Sequence, residues 1–298
     1  MLPSSPAPDH AYFRLLQQHQ RDRTWSLLGP ALLDTDWSPA AAPFLSHLNN
    51  DDLWATITGL PAPDYRSSRL GLMFETLWAQ TLNALFPRVE ANRQILEGQA
   101  TRGELDLLLD DGRQHWHAEL ALKFYLAANG DWIGPNSRDH LPRKIRHTRE
   151  HQLPLSQQTA VQEQLAAAGW YPAQSVSVMK GCLFYRADEK AHAPEGVNPD
   201  HWQGRWCFAR EMAGTLPAGD WSLISKDQWL SPAVLPNRVT KEELVRYLTR
   251  HFASLSYPAC AVRLSEGTLG WCEQQRWLIM PDHWPEAGTH SRLAARPV

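Results

Sequence analysis

One stretch, Gly103 to Leu126, limits the possible folds of this chain more than any other, because it has the pattern of two β-strands joined by a tight turn. The turn signal is Asp110-Asp111-Gly112, since an Asp-Gly pair readily supplies the positive φ angle of a short hairpin. Successive side chains of a strand point to opposite faces of its sheet. In the second strand one face is apolar and is predicted to lie in the core: Trp116, Ala118, Leu120, Leu122, Phe124 and Leu126.

The opposite face of the second strand carries the chemically interesting groups: His115, His117, Glu119, Ala121, Lys123 and Tyr125. A two-residue hairpin loop would pair Asp106 with His117, and a four-residue loop would pair it with Glu119. Both registers leave Asp106 and Glu119 on one face, because a shift of two residues does not change the face. The pattern therefore predicts that Asp106, Glu119 and Lys123 converge on one sheet surface.

Two interpretations of this surface remain open. Neighbouring carboxylates repel each other unless a cation or a proton lies between them, and oxygen ligands suit Mg²⁺ or Mn²⁺. The alternative is a solvated face of an antiparallel sheet, on which acidic and basic side chains simply meet water.

A helix is predicted over Arg69 to Phe86, because its apolar residues form a broad arc at helical spacing. Glu75 lies among apolar neighbours on this helix. A buried carboxylate is costly unless it is paired, bound to a ligand or protonated. Glu75 is therefore a candidate site residue, and the alternative is that it reaches solvent at the edge of the arc.

The net charge of −3 gives the whole chain no attraction to nucleic acid, so such affinity requires a local basic patch. The strongly basic stretch is Ser137 to Leu155. We identify Arg143, Lys144, Arg146 and Arg149 as candidate phosphate contacts. The alternative is a solvated helix face, which is the usual role of a run of charges.

The four cysteines form no Cys-x-x-Cys pair, which argues against a zinc ribbon. Scattered cysteines, no signal peptide and no apolar run long enough to span a membrane are expected of a cytoplasmic protein.

The order of predicted elements indicates an α/β fold. Residues 1–68 should form a helical and loop extension with a helix from His10 to Leu28. Residues 69–186 should form a core of helix, three-strand mixed sheet, helix and strand, with a loop at Gln99 to Arg102. Residues 201–298 should form a Trp-rich α+β part, in which Thr240 and Glu243 form a helix capping box.

This order resembles the PD-(D/E)XK nuclease-like superfamily, whose core is similar to a restriction endonuclease, over roughly residues 69–186. The whole chain resembles the bacterial family DUF1853, which is grouped there. The resemblance rests on FETLW around Glu75, GELDLLL around Asp106, HAELALKFYL around Glu119 and Lys123, and RDHLPRKIRHTREHQL.

The resemblance implies a role for each acid and for the lysine. Asp106 and Glu119 would bind Mg²⁺ or Mn²⁺, Glu75 would join the metal shell through water, and Lys123 would orient or activate the attacking water. The implied reaction is hydrolysis of phosphodiester bonds in DNA or RNA.

One departure from the superfamily leaves three readings open. Three residues separate Glu119 from Lys123, where the superfamily usually has one. The chain is therefore expected to be a metal-dependent nuclease with a shifted site, or a catalytically silent module that binds nucleic acid or a protein. A third reading is a different metalloenzyme that uses His115 and His117.

Overall fold

One large mixed sheet, covered by helices, runs through the computed structural model, which describes residues 16–98, 100–189, 191–267 and 270–285. The helices are α1 Gln18–Leu28, α2 Asn50–Gly59, α3 Leu70–Leu85, α4 Leu141–His147, α5 Thr159–Ala167, α6 Met212–Thr215 and α7 Lys241–Ser254. The strands are β1 Arg88–Glu97, β2 Ala100–Asp110, β3 His115–Ala128, β4 Asp131–Ile133, β5 Pro172–Arg186, β6 Trp202–Phe208, β7 Asp220–Leu223, β8 Val234–Leu235, β9 Val239–Thr240, β10 Ala259–Gly267 and β11 Gly270–Met280.

The strand order is β1-β2-β3-β5-β6-β11-β10-β7-β9, with β4 beside β3 and β8 beside β11. The four central strands β3, β5, β6 and β11 are parallel, and antiparallel strands flank them on both sides. This arrangement confirms a mixed α/β fold. Because β5 pairs with β6, the strands after residue 201 extend the sheet of the preceding residues. The boundaries 1–68, 69–186 and 201–298 remain predictions.

Both faces of β3 are buried. Trp116, Ala118 and Leu120 pack with α3 on one face. Ala121 and Tyr125 pack on the other, against residues that include Leu32 and Leu33. The expectation of a solvated face is wrong for the first half of β3, where the side chains of His117 and Glu119 are only 0% and 2% exposed. The reason is that β3 pairs in parallel with β5 at the centre of the sheet, and parallel strands are normally covered on both faces.

The hairpin between β2 and β3 has the longer of the two loops considered, because Asp110 pairs with His115. Asp111 organises this loop: its Oδ1 accepts hydrogen bonds from the backbone of Arg113 and Gln114, and its Oδ2 accepts one from Trp116 Nε1. Gly112 has the expected positive φ, 81°.

Two predicted boundaries need correction or lie partly outside the described residues. The expected loop over Gln99 to Arg102 is wrong from Ala100 onward, because β2 begins there and pairs with the end of β1. The first helix runs over Gln18–Leu28, and residues 10–15 of the predicted helix lie outside the described residues. No helix in the described ranges is both long and apolar enough to cross a membrane.

Candidate active site

The sheet forks at Asp106. The β2–β3 ladder ends at Leu107 opposite Ala118, although β2 remains paired with β1 back to Ala100 and β3 remains paired with β5. At the opening of the fork, Asp106 Oδ2 accepts a hydrogen bond of 2.9 Å from the backbone N–H of Leu120. The side chain of Asp106 therefore takes over a backbone donor that the ladder has left free.

Glu119 lies inside the fork, and its position is fixed by two side chains. Its Oε1 shares a hydrogen bond of 2.8 Å with His117 Nε2, and its Oε2 accepts a hydrogen bond from Gln152 Nε2. The other ring nitrogen of His117, Nδ1, contacts Ser156 Oγ at 3.0 Å. His117 therefore orients a buried carboxylate and has no nitrogen left for another ligand.

Glu75, on α3, reaches the same cluster from the helical layer. Burial, and then the charges of Glu104 and Glu119, raise the pKa of Glu75 to about 7, while Lys144 acts in the opposite direction. Its ionisation therefore depends on residues of the sheet and of α4. Glu75 is half-buried, so both alternatives for this carboxylate, a site residue or a group that reaches solvent at the edge of the apolar arc, stay open.

Asp106 shows the same excess of negative charge. Burial, Glu119 and Glu75 raise its pKa to about 7, against the opposing effects of the Leu120 N–H and of Lys144. The structure therefore brings Glu75, Asp106 and Glu119 close enough for their charges to repel one another, and a cation among them would relieve that repulsion.

Lys123 points to a different partner from the one implied by the resemblance. Its Nζ lies 2.5 Å from Asp139 Oδ2, and this is its one hydrogen bond within the described part of the chain. Asp139 belongs to the connection between β4 and α4, where its backbone N–H donates to Asn136 Oδ1. Neither Asp106 nor Glu119 bonds to Lys123.

The basic segment divides into two parts with different environments. Arg143, Arg146 and Arg149 are exposed, and they form no hydrogen bond or ion pair with the described residues. Lys144 instead turns toward the acidic cluster, where its Nζ donates a hydrogen bond of 2.7 Å to Gln152 Oε1. The role of all four cations as phosphate contacts remains a prediction, and the structure distinguishes them only by their environments.

A π-turn over Thr148–Gln152 makes this arrangement possible. It follows α4 directly, and Leu153 N donates to Thr148 O, five residues earlier. π-turns occur frequently at functional sites. Within this turn Thr148 Oγ1 also donates to Gln152 Oε1, so the Gln152 amide is fixed between Lys144 and Glu119. Sequence reasoning missed Gln152 and Asp139, and no motif around either residue indicates its role.

The donor set suits a hard divalent cation. In the ranges that the structure describes, no three His, Cys, Asp or Glu side chains form a ready-made metal cage. Mg²⁺, however, usually keeps several waters and binds proteins through only one or two carboxylates. Asp106, with one oxygen engaged by Leu120, and the two neighbouring glutamates therefore fit Mg²⁺ or Mn²⁺.

The alternative metalloenzyme site finds no support in the positions of its two histidines. His115 Nδ1 accepts a hydrogen bond from the backbone of Tyr171, and His115 Nε2 lies 3.6 Å from Asp110. His117 is bonded to Glu119 and Ser156. The two rings therefore serve separate local contacts.

The comparisons with known proteins identify a family. A family model described as a domain of unknown function, DUF1853, matches residues 15–280. No curated protein and no solved structure matches the chain.

Proposed function

We propose that this chain, which belongs to the DUF1853 family, is a divalent-metal-dependent nuclease that hydrolyses phosphodiester bonds of DNA or RNA. The observation that supports this proposal is the convergence of Glu75, Asp106 and Glu119 at the fork between β2 and β3. The order of α3, β1, β2, β3, α4 and β5 also supports a PD-(D/E)XK-like, restriction-endonuclease-like core over residues 69–186. The four free, buried cysteines are consistent with a cytoplasmic location.

In the proposed reaction, different residues would bind the metal ion, orient its ligands and bind the nucleic acid. Asp106 and Glu119 would hold Mg²⁺ or Mn²⁺, with Glu75 reaching it through water. The bound ion would polarise the phosphate and lower the pKa of a water ligand. The Leu120 N–H and His117 keep the two carboxylates oriented. Arg143, Arg146 and Arg149, which lack carboxylate partners in the described structure, would bind phosphates along the strand.

A cleavage assay tests this proposal. Purified full-length protein is mixed with end-labelled single- and double-stranded DNA and RNA while Mg²⁺ and Mn²⁺ are titrated. We expect cleavage that depends on the metal and that falls at least 100-fold in Asp106→Asn. The matched control is Asp110→Asn, which lies on the same strand outside the fork and should retain activity. Metal-independent cleavage, or equal activity of both variants, would contradict the proposal.

A second candidate function is a catalytically silent nuclease-like module that binds nucleic acid or a protein partner. Two observations favour it: both oxygens of Glu119 are already hydrogen-bonded, and Lys123 is engaged by Asp139. This function predicts nucleic-acid binding that is unchanged by Mg²⁺ and by Asp106→Asn, without any cleavage.

A further inference from the structure

We infer that Lys144, on α4, is the lysine that faces the scissile phosphate, and that Lys123 is a positioning residue for the connection that carries Asp139. This inference rests on the proposed nuclease function. It assigns the positive charge beside the scissile phosphate to Lys144 and not to Lys123.

The first step concerns Lys123. Its ammonium is engaged by Asp139 at 2.5 Å, and both side chains are about one third exposed or less. Asp139 is itself anchored, because its backbone carbonyl accepts a hydrogen bond of 2.7 Å from Gly134 N and its backbone N–H donates to Asn136 Oδ1. The ion pair therefore ties β3 to the start of α4, and it engages the ammonium of Lys123 with Asp139 and not with an acid of the fork.

The second step concerns the contacts of Lys144. Its Nζ donates to Gln152 Oε1 at 2.7 Å, and the same Gln152 amide donates through Nε2 to Glu119. Gln152 thus links the lysine to a carboxylate of the acidic cluster without a direct ion pair. An ammonium group carries three N–H donors, and Gln152 is the one acceptor it reaches in the described residues. Two donors therefore remain for a phosphate oxygen.

The third step concerns the electric field at the carboxylates. The charge of Lys144 acts to lower the pKa of both Glu75 and Asp106, against the larger effects of burial and of the neighbouring acids. Burial, and then Lys123, lower the pKa of Lys144 itself, whereas Glu119, Asp106 and Asp139 raise it. Lys144 is therefore placed where its positive charge acts on the carboxylates of Glu75 and Asp106.

The spacing between Glu119 and Lys123 also supports Lys144, and not Lys123, as the lysine beside the phosphate. Three residues lie between Glu119 and Lys123, so the strand lysine is about 13 Å of strand away from the glutamate. Lys144 approaches from a helix and is not subject to that spacing. Its positive charge would stabilise the negative charge that develops on the phosphate during attack by water.

The test compares the two lysines by chemical rescue. Lys144→Cys and Lys123→Cys are each prepared in the full-length protein and then treated with 2-bromoethylamine, which restores a side chain ending in an ammonium group. The four native cysteines are buried, so the introduced thiol is the accessible one within the described structure. Steady-state cleavage of a fluorescent oligonucleotide in Mg²⁺ gives kcat and KM, and circular dichroism verifies folding.

We expect Lys144→Cys to lower kcat by 100-fold or more with a change in KM of less than about threefold, and aminoethylation to restore at least one tenth of the lost activity. Lys123→Cys should lower kcat less than tenfold and mainly lower the melting temperature. Lys144→Gln is the second variant, because its amide can still donate to Gln152 while lacking the charge. It should be folded and equally impaired.

The opposite pattern, in which Lys123→Cys is inactive and rescued while Lys144→Cys and Lys144→Gln remain active, would overturn the inference and leave the nuclease proposal standing. A wild-type protein that cleaves no substrate would instead refute the nuclease proposal, and the inference with it.

Discussion

Lys180 is a fully buried lysine in the middle of β5, and its Nζ donates a hydrogen bond to the backbone carbonyl of Gly29. Burial alone lowers its pKa from 10.5 to about 7, and no carboxylate offsets the effect. Between these two values the unfolded chain binds a proton that the folded chain does not. Lys180 therefore makes the free energy of unfolding rise with pH across that window.

We expect this group to contribute a slope of at most about 1.4 kcal/mol per pH unit between pH 7 and 10. Urea denaturation at several pH values in this range measures the slope. The control is Lys180→Met, which keeps an unbranched side chain and removes the titrating group. Identical slopes in the two proteins would show that Lys180 is protonated in the fold.

Asp106 gives a second prediction for a single residue. Because its folded-state pKa is raised from 3.8 to about 7, stability is lost as pH rises through that interval. At pH 8 in the presence of a chelator, Asp106→Asn should therefore melt a few degrees above the wild type. The amide oxygen can still accept the hydrogen bond from Leu120.

Added Mg²⁺ should reverse this order. A ligand that binds only the folded state adds about 2.7 kcal/mol at 100 times its Kd. Added Mg²⁺ should stabilise the wild type by about this amount and should stabilise Asp106→Asn much less, as measured by differential scanning calorimetry. Equal gains in both proteins would place the cation somewhere other than Asp106.

At the scale of elements, the contact between β3 and β5 depends on Gly181. A Cβ atom built on Gly181 would lie 1.7 Å from the carbonyl oxygen of Lys123, and its φ of 139° is unfavourable for other residues. Gly181→Ala should therefore destabilise the fold by about 3 kcal/mol or more in urea denaturation.

Gly112 is the matched control, because its φ is also positive, 81°, but nothing lies within 4 Å of an added Cβ. Gly112→Ala should cost only about 1 kcal/mol, the conformational part of the effect. A similar loss in both variants would mean that β5 can move away from β3 at little cost.

The exposed face of α4 and the π-turn leads to a prediction about binding. Arg146→Gln with Arg149→Gln should lower nucleic-acid affinity and reduce the slope of log K against log salt by about 1.4 to 1.8, since each phosphate contact contributes about 0.7 to 0.9. Fluorescence anisotropy in a salt series measures this slope. The control is the same pair of changes at Arg246 and Arg250, two exposed arginines of α7. Equal slopes for both double variants would argue against this surface.

The elements that local patterns define were predicted well. α3 and the β2–β3 hairpin follow from apolar spacing and from Asp111-Gly112. The capping box of α7 is confirmed by the hydrogen bonds between Thr240 and Glu243. The burial of Glu119 could not be predicted in this way, because it depends on the covering of the sheet by residues far away in sequence.

The groups around the candidate site were harder to predict for the same reason. Gln152 reaches Glu119 from the end of the π-turn that follows α4, and helical spacing gives no sign of such a turn. Lys144 was grouped with the arginines by charge, although its hydrogen bond to Gln152 and its partial burial distinguish it from them. Asp139 contacts Lys123 through a loop that sequence patterns do not describe.

At the scale of the whole molecule, the continuous sheet predicts that residues 1–186 do not fold alone. Removal of the later residues would free the C-terminal third of β5 that pairs with β6, from Cys182 to Arg186. It would also expose a core cluster that contains Leu126 and Phe184. Unpaired strand edges and apolar patches lead to aggregation.

We therefore expect a 1–186 fragment to be aggregated in size-exclusion chromatography. The full chain should unfold in one transition, with the same midpoint by circular dichroism and by tryptophan fluorescence. A monomeric fragment with native-like strand content would contradict this prediction and would support an independent core.

The parallel centre of the sheet also has a consequence for how the chain reaches its structure. β3 can pair with β5 only after a long crossover has formed. β6 can pair with β11, the last strand of the described residues, only when Trp277 and its neighbours lie beside Arg205. Pairings between distant segments lose loop entropy before they gain contacts, and they make folding slow. We therefore expect refolding over milliseconds to seconds or longer. Because the second edge of β6 can pair with β11 only after β11 has been synthesised, the nascent chain carries an open strand edge on the ribosome until then.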